Sequence, residues 1–195
     1  MSAEVAIIKY NAGNIGSVAN ALQRLGVESI VTDSLDEIKR AKKVIFPGVG
    51  EASTTMKYLA ETGLDELIKS LKQPVLGICL GMQLMCSHSE EGDTSGLGIF
   101  KEKVKLFRIK AKVPHMGWNE IEINQDKLLK GLPKTSHFYF VHSYYCEKGP
   151  DTRSICEYEI PFSAYLQKDN FYAVQFHPEK SGSLGAILLQ NFIEL

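Results

Sequence analysis

Pro74-Val75-Leu76-Gly77-Ile78-Cys79-Leu80-Gly81-Met82-Gln83 sets the terms for the rest of the chain. An apolar run of strand length enters a cysteine held between two glycines, and helix-favouring residues follow at once. That order describes a nucleophile elbow, a sharp strand-to-helix turn that lifts one reactive side chain clear of a sheet. Gly77 and Gly81, two residues either side of Cys79, leave room for neighbouring backbone to pass beneath the turn. The sulfur is then expected at a helix N-terminus, where free N–H groups and the helix dipole favour thiolate over thiol. The pattern predicts a nucleophile for a carbonyl carbon, to which the rest of the chain must bring a base.

The segments around the elbow predict an α/β fold. Val5–Ile8 is a continuous apolar run of the kind found in a strand covered on both faces. Val18, Ala21, Leu22 and Leu25 then recur at helical spacing up to Gly26. Ser29–Thr32 and Lys43–Phe46 read as further strands, the latter stopped by Pro47-Gly48. Leu64, Leu67, Ile68 and Leu71 mark one face of a helix ahead of the Cys79 strand. This β-α-β alternation predicts a doubly wound, mostly parallel sheet. From about Phe100 the character changes. Residues 104–107, 119–123, 137–141 and 154–156 read as strands with short connections. Residues 164–166 and 171–176 flank Lys168-Asp169-Asn170, a hairpin signal. A last amphipathic helix carries Leu184, Ile187, Leu188 and Phe192. The C-terminal half is therefore expected to add antiparallel strands. With no internal repeat and no long linker, residues 1–195 read as a single domain.

Bulk properties exclude several function classes. An apolar fraction of 44% over 195 residues suffices for one full core. A net charge of −1 offers no electrostatic case for nucleic acid or an anionic membrane surface. Stretches such as Val44-Ile45-Phe46 are far too short to span a bilayer, and Met1-Ser2-Ala3-Glu4 lacks the plan of a signal peptide. Cys79, Cys86, Cys146 and Cys156 form no C-x-x-C pair, so free thiols in a reducing cytosol are expected. No metal or cofactor is expected.

His177 stands out among five histidines. It ends an apolar strand and is followed by Pro178, with Glu179 two residues on. Pro178 biases the segment toward extended backbone, in which side chains at i and i+2 point the same way. Glu179 is thereby predicted to hydrogen-bond the imidazole and fix its tautomer, the role of a triad carboxylate. Cys86, Cys146 and Cys156 read as inert buried thiols, and His88 and His137 as ordinary hydrogen-bonded residues. Pro47-Gly48-Val49-Gly50, directly after the third strand, suits backbone amides turned toward an oxyanion. On its own it reads more simply as a strand-to-helix turn. The N–H of Leu80, the residue after the nucleophile, would be the second donor.

Taken together, Gly77-Ile78-Cys79-Leu80-Gly81-Met82-Gln83, Phe176-His177-Pro178-Glu179 and Pro47-Gly48-Val49-Gly50 resemble the class I (triad) glutamine amidotransferases. Tyr10-Asn11-Ala12-Gly13-Asn14, His115-Met116-Gly117-Trp118-Asn119, Phe140-Val141-His142-Ser143-Tyr144-Tyr145 and Glu179-Lys180-Ser181-Gly182 narrow the likeness to the glutaminase subunits of imidazole glycerol phosphate synthases. The resemblance spans nearly the whole chain, and the length fits a glutaminase with no synthetase domain attached. It implies that Cys79 attacks the side-chain amide of glutamine and that Leu80 and the Gly50 loop hold the oxyanion. His177 would protonate departing ammonia and then activate water. Gln83 and the backbone around Ser143 and Tyr144 would hold the amino-acid end of the substrate. The ammonia would pass to a (β/α)-barrel cyclase, a heterodimer partner that also switches the glutaminase on, with Asn14, Trp118, Tyr139 and Lys180 facing it. One departure is present: where the family usually opens with Asp-Tyr-Gly-x-Gly-Asn, this chain carries Lys9 and Asn11.

Two other readings share these residues. One is a cysteine hydrolase of the same fold, either a stand-alone γ-glutamyl hydrolase or a glutaminase serving another synthase. The other is a non-enzymatic module with a reactive thiol, against which the His177–Glu179 pair argues, since a sensor thiol needs no base and carboxylate.

Overall fold

The computed structural model describes residues 3–10, 15–124 and 126–195, so Asn11 and Asn14 lie outside the described residues. The first half runs β1 (Val5–Ile8), α1 (Ile15–Arg24), β2 (Ser29–Thr32), α2 (Leu35–Arg40), β3 (Lys43–Phe46), α3 (Ala52–Thr62), α4 (Leu64–Ser70), β4 (Val75–Ile78) and α5 (Leu80–Met85). The second half runs β5 (His88–Ser89), β6 (Thr94–Ser95), β7 (Lys103–Leu106), β8 (His115–Glu122), β9 (Thr135–His142), β10 (Tyr144–Cys146), β11 (Thr152–Tyr158), β12 (Ile160–Lys168), β13 (Phe171–Val174) and the closing helix α6 (Gly182–Glu194).

Nine strands form one sheet in the order β2-β1-β3-β4-β13-β12-β11-β8-β9. The pairs from β2 to β13 are parallel and those from β13 to β9 antiparallel. Alternation along β1 builds two cores, because successive strand residues face opposite sides. Val5 and Ile7 pack with Val18 and Leu22 of α1 and Leu188 and Phe192 of α6. Ala6 and Ile8 pack on the other side with Leu59 of α3 and with Leu64 and Ile68 of α4.

The first-half strands fall where the apolar runs predict, and the hairpin closes at Asp169 and Asn170 with Lys168 opposite Phe171. Three features differ from expectation. Helices α2 and α3 carry too few apolar repeats to be legible by spacing, yet both are capped. The Ser34 hydroxyl accepts the Glu37 N–H, and the Glu51 carboxylate accepts from Ser53 and Thr54. Strand β8 begins at His115, four residues before the predicted start. Finally, β10-β7-β5-β6 is a separate sheet. The run through 137–146 leaves the large sheet at His142 and joins the small one at Tyr144, so Ser143 sits at the crossing.

The strands that carry the site are neighbours. Parallel pairing of β13 with β4 sets Val174 opposite Ile78, and the Cys79 N–H extends the ladder to the Val174 carbonyl at 2.8 Å. Both chains leave the sheet at its carboxyl edge, where open α/β sheets hold their ligands.

Candidate active site

Cys79 stands between β4 and α5 with φ 50° and ψ −107°, a backbone conformation that costs a non-glycine residue about 1–3 kcal/mol. Tight packing of backbone on backbone holds it there. A Cβ on Gly81 would lie 2.1 Å from the Phe46 carbonyl oxygen, and one on Gly48 would lie 2.1 Å from the Ile78 oxygen and 2.3 Å from the Leu80 nitrogen. The loop after β3 and the elbow after β4 thus interlock without side chains between them.

His177 follows β13 by three residues. Its N–H donates to the Tyr139 carbonyl at 2.9 Å. The Ser181 hydroxyl donates to the His177 carbonyl at 2.6 Å and accepts the Tyr139 N–H at 3.0 Å. Nδ1 of His177 lies 2.8 Å from Glu179 Oε1, both side chains being almost fully buried. The route to this contact differs from the one expected. His177 is extended, but Pro178–Lys180 forms a 3₁₀ turn. Proline at the first position of a helical turn loses no hydrogen bond, and the turn brings Glu179 back to the ring. Nε2 completes no hydrogen bond within the protein. Burial alone would lower the imidazole pKa; the Cys79 sulfur and the Glu179 carboxylate outweigh it and push it up to about 10.

A cavity of about 380 Å³ opens over these groups and is lined by Gly50, Cys79, Leu80, Gln83, Ser143, Tyr144, His177 and Lys180. Gly48, Val49, Pro114, Val141, His142 and Glu91 complete the wall. Glu91 was not anticipated; its signal is the acidic Glu90-Glu91 pair ahead of Gly92. Oε2 of Glu91 accepts the Ala52 N–H at 2.9 Å, and burial raises its carboxyl pKa above the ordinary value. Tyr10 is a second unanticipated member. Its buried hydroxyl donates to the Pro47 carbonyl at 2.5 Å and accepts the Val49 N–H at 3.3 Å. Lys9 beside it is exposed.

One carbonyl organises the wall opposite Cys79. The Tyr144 oxygen accepts from Gln83 Nε2 at 2.8 Å and from His142 Nδ1 at 2.7 Å. His142 must then accept at Nε2, where His115 Nδ1 donates at 3.0 Å, and Asn119 Nδ2 donates to His115 Nε2 at 3.3 Å. Both rings are neutral: burial lowers the pKa of His115 to about 4 and that of His142 to about 3. An unfolded histidine titrates near 6.5, so below that pH the unfolded chain binds more protons and stability falls as pH drops. Between pH 7 and 5, His142 is expected to remove about 2 kcal/mol, read as a lower urea midpoint. A His142→Gln chain should show a correspondingly shallower decline; an identical slope would refute the neutral-ring assignment.

The cysteines away from the cavity are free thiols, Cys86 Sγ lying 3.3 Å from Cys146 Sγ. Trp118 and Tyr139 face each other across β8 and β9, with ring centroids 6.2 Å apart, and Lys180 Nζ stands 6.0 Å from the Tyr139 ring. Met116, 61% exposed, and Trp118, 57% exposed, share one face of β8, and Lys180 also lines the cavity. Among the described residues no helix is long and apolar enough to cross a membrane.

Comparison with known proteins places this geometry. The family described as glutamine amidotransferase class-I matches residues 6–195. A protein of Bacteroides fragilis (strain ATCC 25285) named imidazole glycerol phosphate synthase subunit HisH is 58% identical over 195 residues, covering 98% of this chain and 100% of its own. The protein of the same name from Pasteurella multocida (strain Pm70) is 47% identical over 192 residues, covering 97% of each. Among solved structures, a glutamine amidotransferase superposes with a TM-score of 0.77 at 20% identity, covering 98% of this chain and 97% of that one. PurLQS from Thermotoga maritima superposes with 0.73 at 15% identity, covering 100% and 99%. The expected fold is the one found.

Proposed function

Because this chain belongs to the class-I glutamine amidotransferases, as an enzyme subunit, we propose that it hydrolyses glutamine to glutamate and ammonia through Cys79, His177 and Glu179. The observation that carries the reading is the delivery of a strained cysteine and a carboxylate-bound histidine to one cavity from the ends of two adjacent parallel strands. In this reading the Cys79 thiolate attacks the side-chain carboxamide carbon of glutamine. The carbonyl oxygen gathers charge beside the Leu80 N–H and the Gly50 loop. His177, its proton held toward the cavity, gives that proton to nitrogen as the C–N bond breaks and ammonia leaves. It then takes a proton from water, whose oxygen attacks the thioester carbonyl and releases glutamate. Glu179 holds the ring in one tautomer throughout. Glu91 supplies the cavity carboxylate for the α-ammonium, and Ser143, Tyr144 and the free Oε1 of Gln83 frame the amino-acid end.

Ammonia released into water would be protonated and lost, so the product needs a receiver. The receiver we propose is a (β/α)-barrel cyclase bound as a heterodimer over the Trp118, Tyr139 and Lys180 patch. The cyclase joins ammonia to a phosphorylated ribulosyl carboxamide and forms imidazole glycerol phosphate and an aminoimidazole carboxamide ribotide in histidine biosynthesis. Residues 1–195 act as a single cytoplasmic domain in this scheme. The Val49 N–H is engaged by the Tyr10 hydroxyl, which keeps one oxyanion donor from the cavity until a partner turns the loop.

The test is glutaminase rate with and without the partner. One missing oxyanion donor costs about a hundredfold or more, so the isolated chain should be slow and gain about that factor when the cyclase and its ligand are added. Full activity of the chain alone would favour a stand-alone γ-glutamyl hydrolase, and co-purification with a different synthase would reassign the pathway.

A further inference from the structure

Gln175 is fully buried, and the chemistry above makes no use of it. It lies between β13 and His177, and its amide touches two parts of the site. Oε1 faces Gln83 Nε2 at 3.0 Å, while Nε2 lies 3.6 Å from Cys79 Sγ.

The direction of that amide follows from one fixed acceptor. A backbone carbonyl can only accept, so the Gln83 atom 2.8 Å from the Tyr144 oxygen is nitrogen. The same amino group directs its second hydrogen at Gln175, so the Gln175 atom there is oxygen. The Gln175 nitrogen is therefore the end turned to sulfur. Val141 offers the opposite contact, its carbonyl oxygen lying 3.9 Å from Sγ, where it accepts the proton of a neutral thiol.

We propose that Gln175 holds the Cys79 sulfur through an N–H donor and favours its thiolate, with Gln83 fixing the direction of that donor. The proposal rests on the reading of Cys79 as the nucleophile. A donor is worth more to an anion than to a neutral thiol, so the contact strengthens as the proton leaves. It also ties the nucleophile to Gln83, which lines the cavity where the amino-acid end of the substrate would sit. The titratable groups around the sulfur are His177 with Glu179 behind it and Tyr10, and His142, Glu91 and Lys180 line the same cavity. His177 contributes charge from the cavity side, and Gln175 contributes a neutral donor from within the protein.

The experiment measures alkylation of Cys79 by iodoacetamide against pH in the full chain. In Gln175→Met an apolar chain of similar length replaces the amide. The alkylation midpoint should move up by about one pH unit, and the rate at pH 7 should fall roughly tenfold. Gln175→Glu keeps the shape but turns an acceptor toward the sulfur, and should shift the profile further. An unchanged profile in a folded Gln175→Met chain would overturn the proposal. Should neither variant fold by near-UV circular dichroism, the ¹⁵N-glutamine-labelled wild-type chain decides. Its Gln175 side-chain amide should titrate with the alkylation midpoint, and an indifferent amide signal would refute the contact. Failure of the nucleophile reading itself would show elsewhere, as glutamine turnover surviving in Cys79→Ser.

Discussion

A Cys79→Ser chain is expected to release glutamate from glutamine at least about a thousandfold more slowly than the wild type, while folding normally. Serine has nearly the volume of cysteine and takes the same elbow backbone, so the sheet and both cores have no cause to change. The chemistry has every cause. His177 is pushed up to about 10 because the sulfur and Glu179 favour its protonated form. Without the sulfur one of those supports is gone, and a serine hydroxyl at neutral pH is almost wholly un-ionised. The proton for the leaving nitrogen and the attacking anion are lost together. If the proposed pairing with a cyclase holds, ammonium added to the complex should still drive the cyclase reaction at its ordinary rate, since that step needs only the partner. The measurements are glutamate release from the variant complex and product formation with ammonium. Persistent glutamine-dependent turnover would show that another group attacks.

Gly81→Ala should be among the most damaging additions of a single methyl group in the described residues. Its Cβ would lie 2.1 Å from the Phe46 carbonyl oxygen and 3.3 Å from the Pro47 oxygen, neither of which can rotate away. Separating the elbow from the loop after β3 means shifting backbone in two buried segments, and we expect a loss of about 3 kcal/mol or more in urea unfolding. Glutaminase activity should fall further than stability does, because the Leu80 N–H and the Gly50 loop would no longer share one edge of the cavity. Gly16 within α1 is the control. A Cβ there meets nothing within 4 Å, and Gly16→Ala should be neutral or stabilising by roughly 0.5–1 kcal/mol. Equal unfolding midpoints for the two variants would refute the interlock.

The features legible in the sequence were those written in contiguous residues. β1, β3 and β4 announce themselves as unbroken apolar runs because both their faces are covered. Cys79 and its glycines describe their own turn. The helices α2 and α3 were missed because their buried residues are few, although the Ser34 and Glu51 caps were there to be read. The approach of Glu179 to His177 was foreseen from spacing, but its backbone was not, since proline can open a 3₁₀ turn as readily as it can prolong a strand. The crossing at Ser143 was invisible because 137–146 is uniformly strand-like; the break depends on β8 pairing with one part and β7 with the other. Tyr10, Glu91 and Gln175 were illegible for a plainer reason. Each acts on a group far along the chain, Val49, Ala52 and Cys79 respectively, and no local pattern marks such a meeting.

The placement of Cys79 and His177 beyond neighbouring parallel strands makes their separation a property of the β lattice. Strands in register lie about 4.8 Å apart whatever their side chains, and Val174 opposite Ile78 sets the phase. Surface segments that touch neither the loop after β3 nor the Tyr139 and Ser181 contacts can exchange residues without moving Cys79 and His177 relative to each other. Under the proposed function, descendants of such a chain could therefore change which molecule receives the ammonia by altering surface segments alone, while Cys79 and His177 keep their placement.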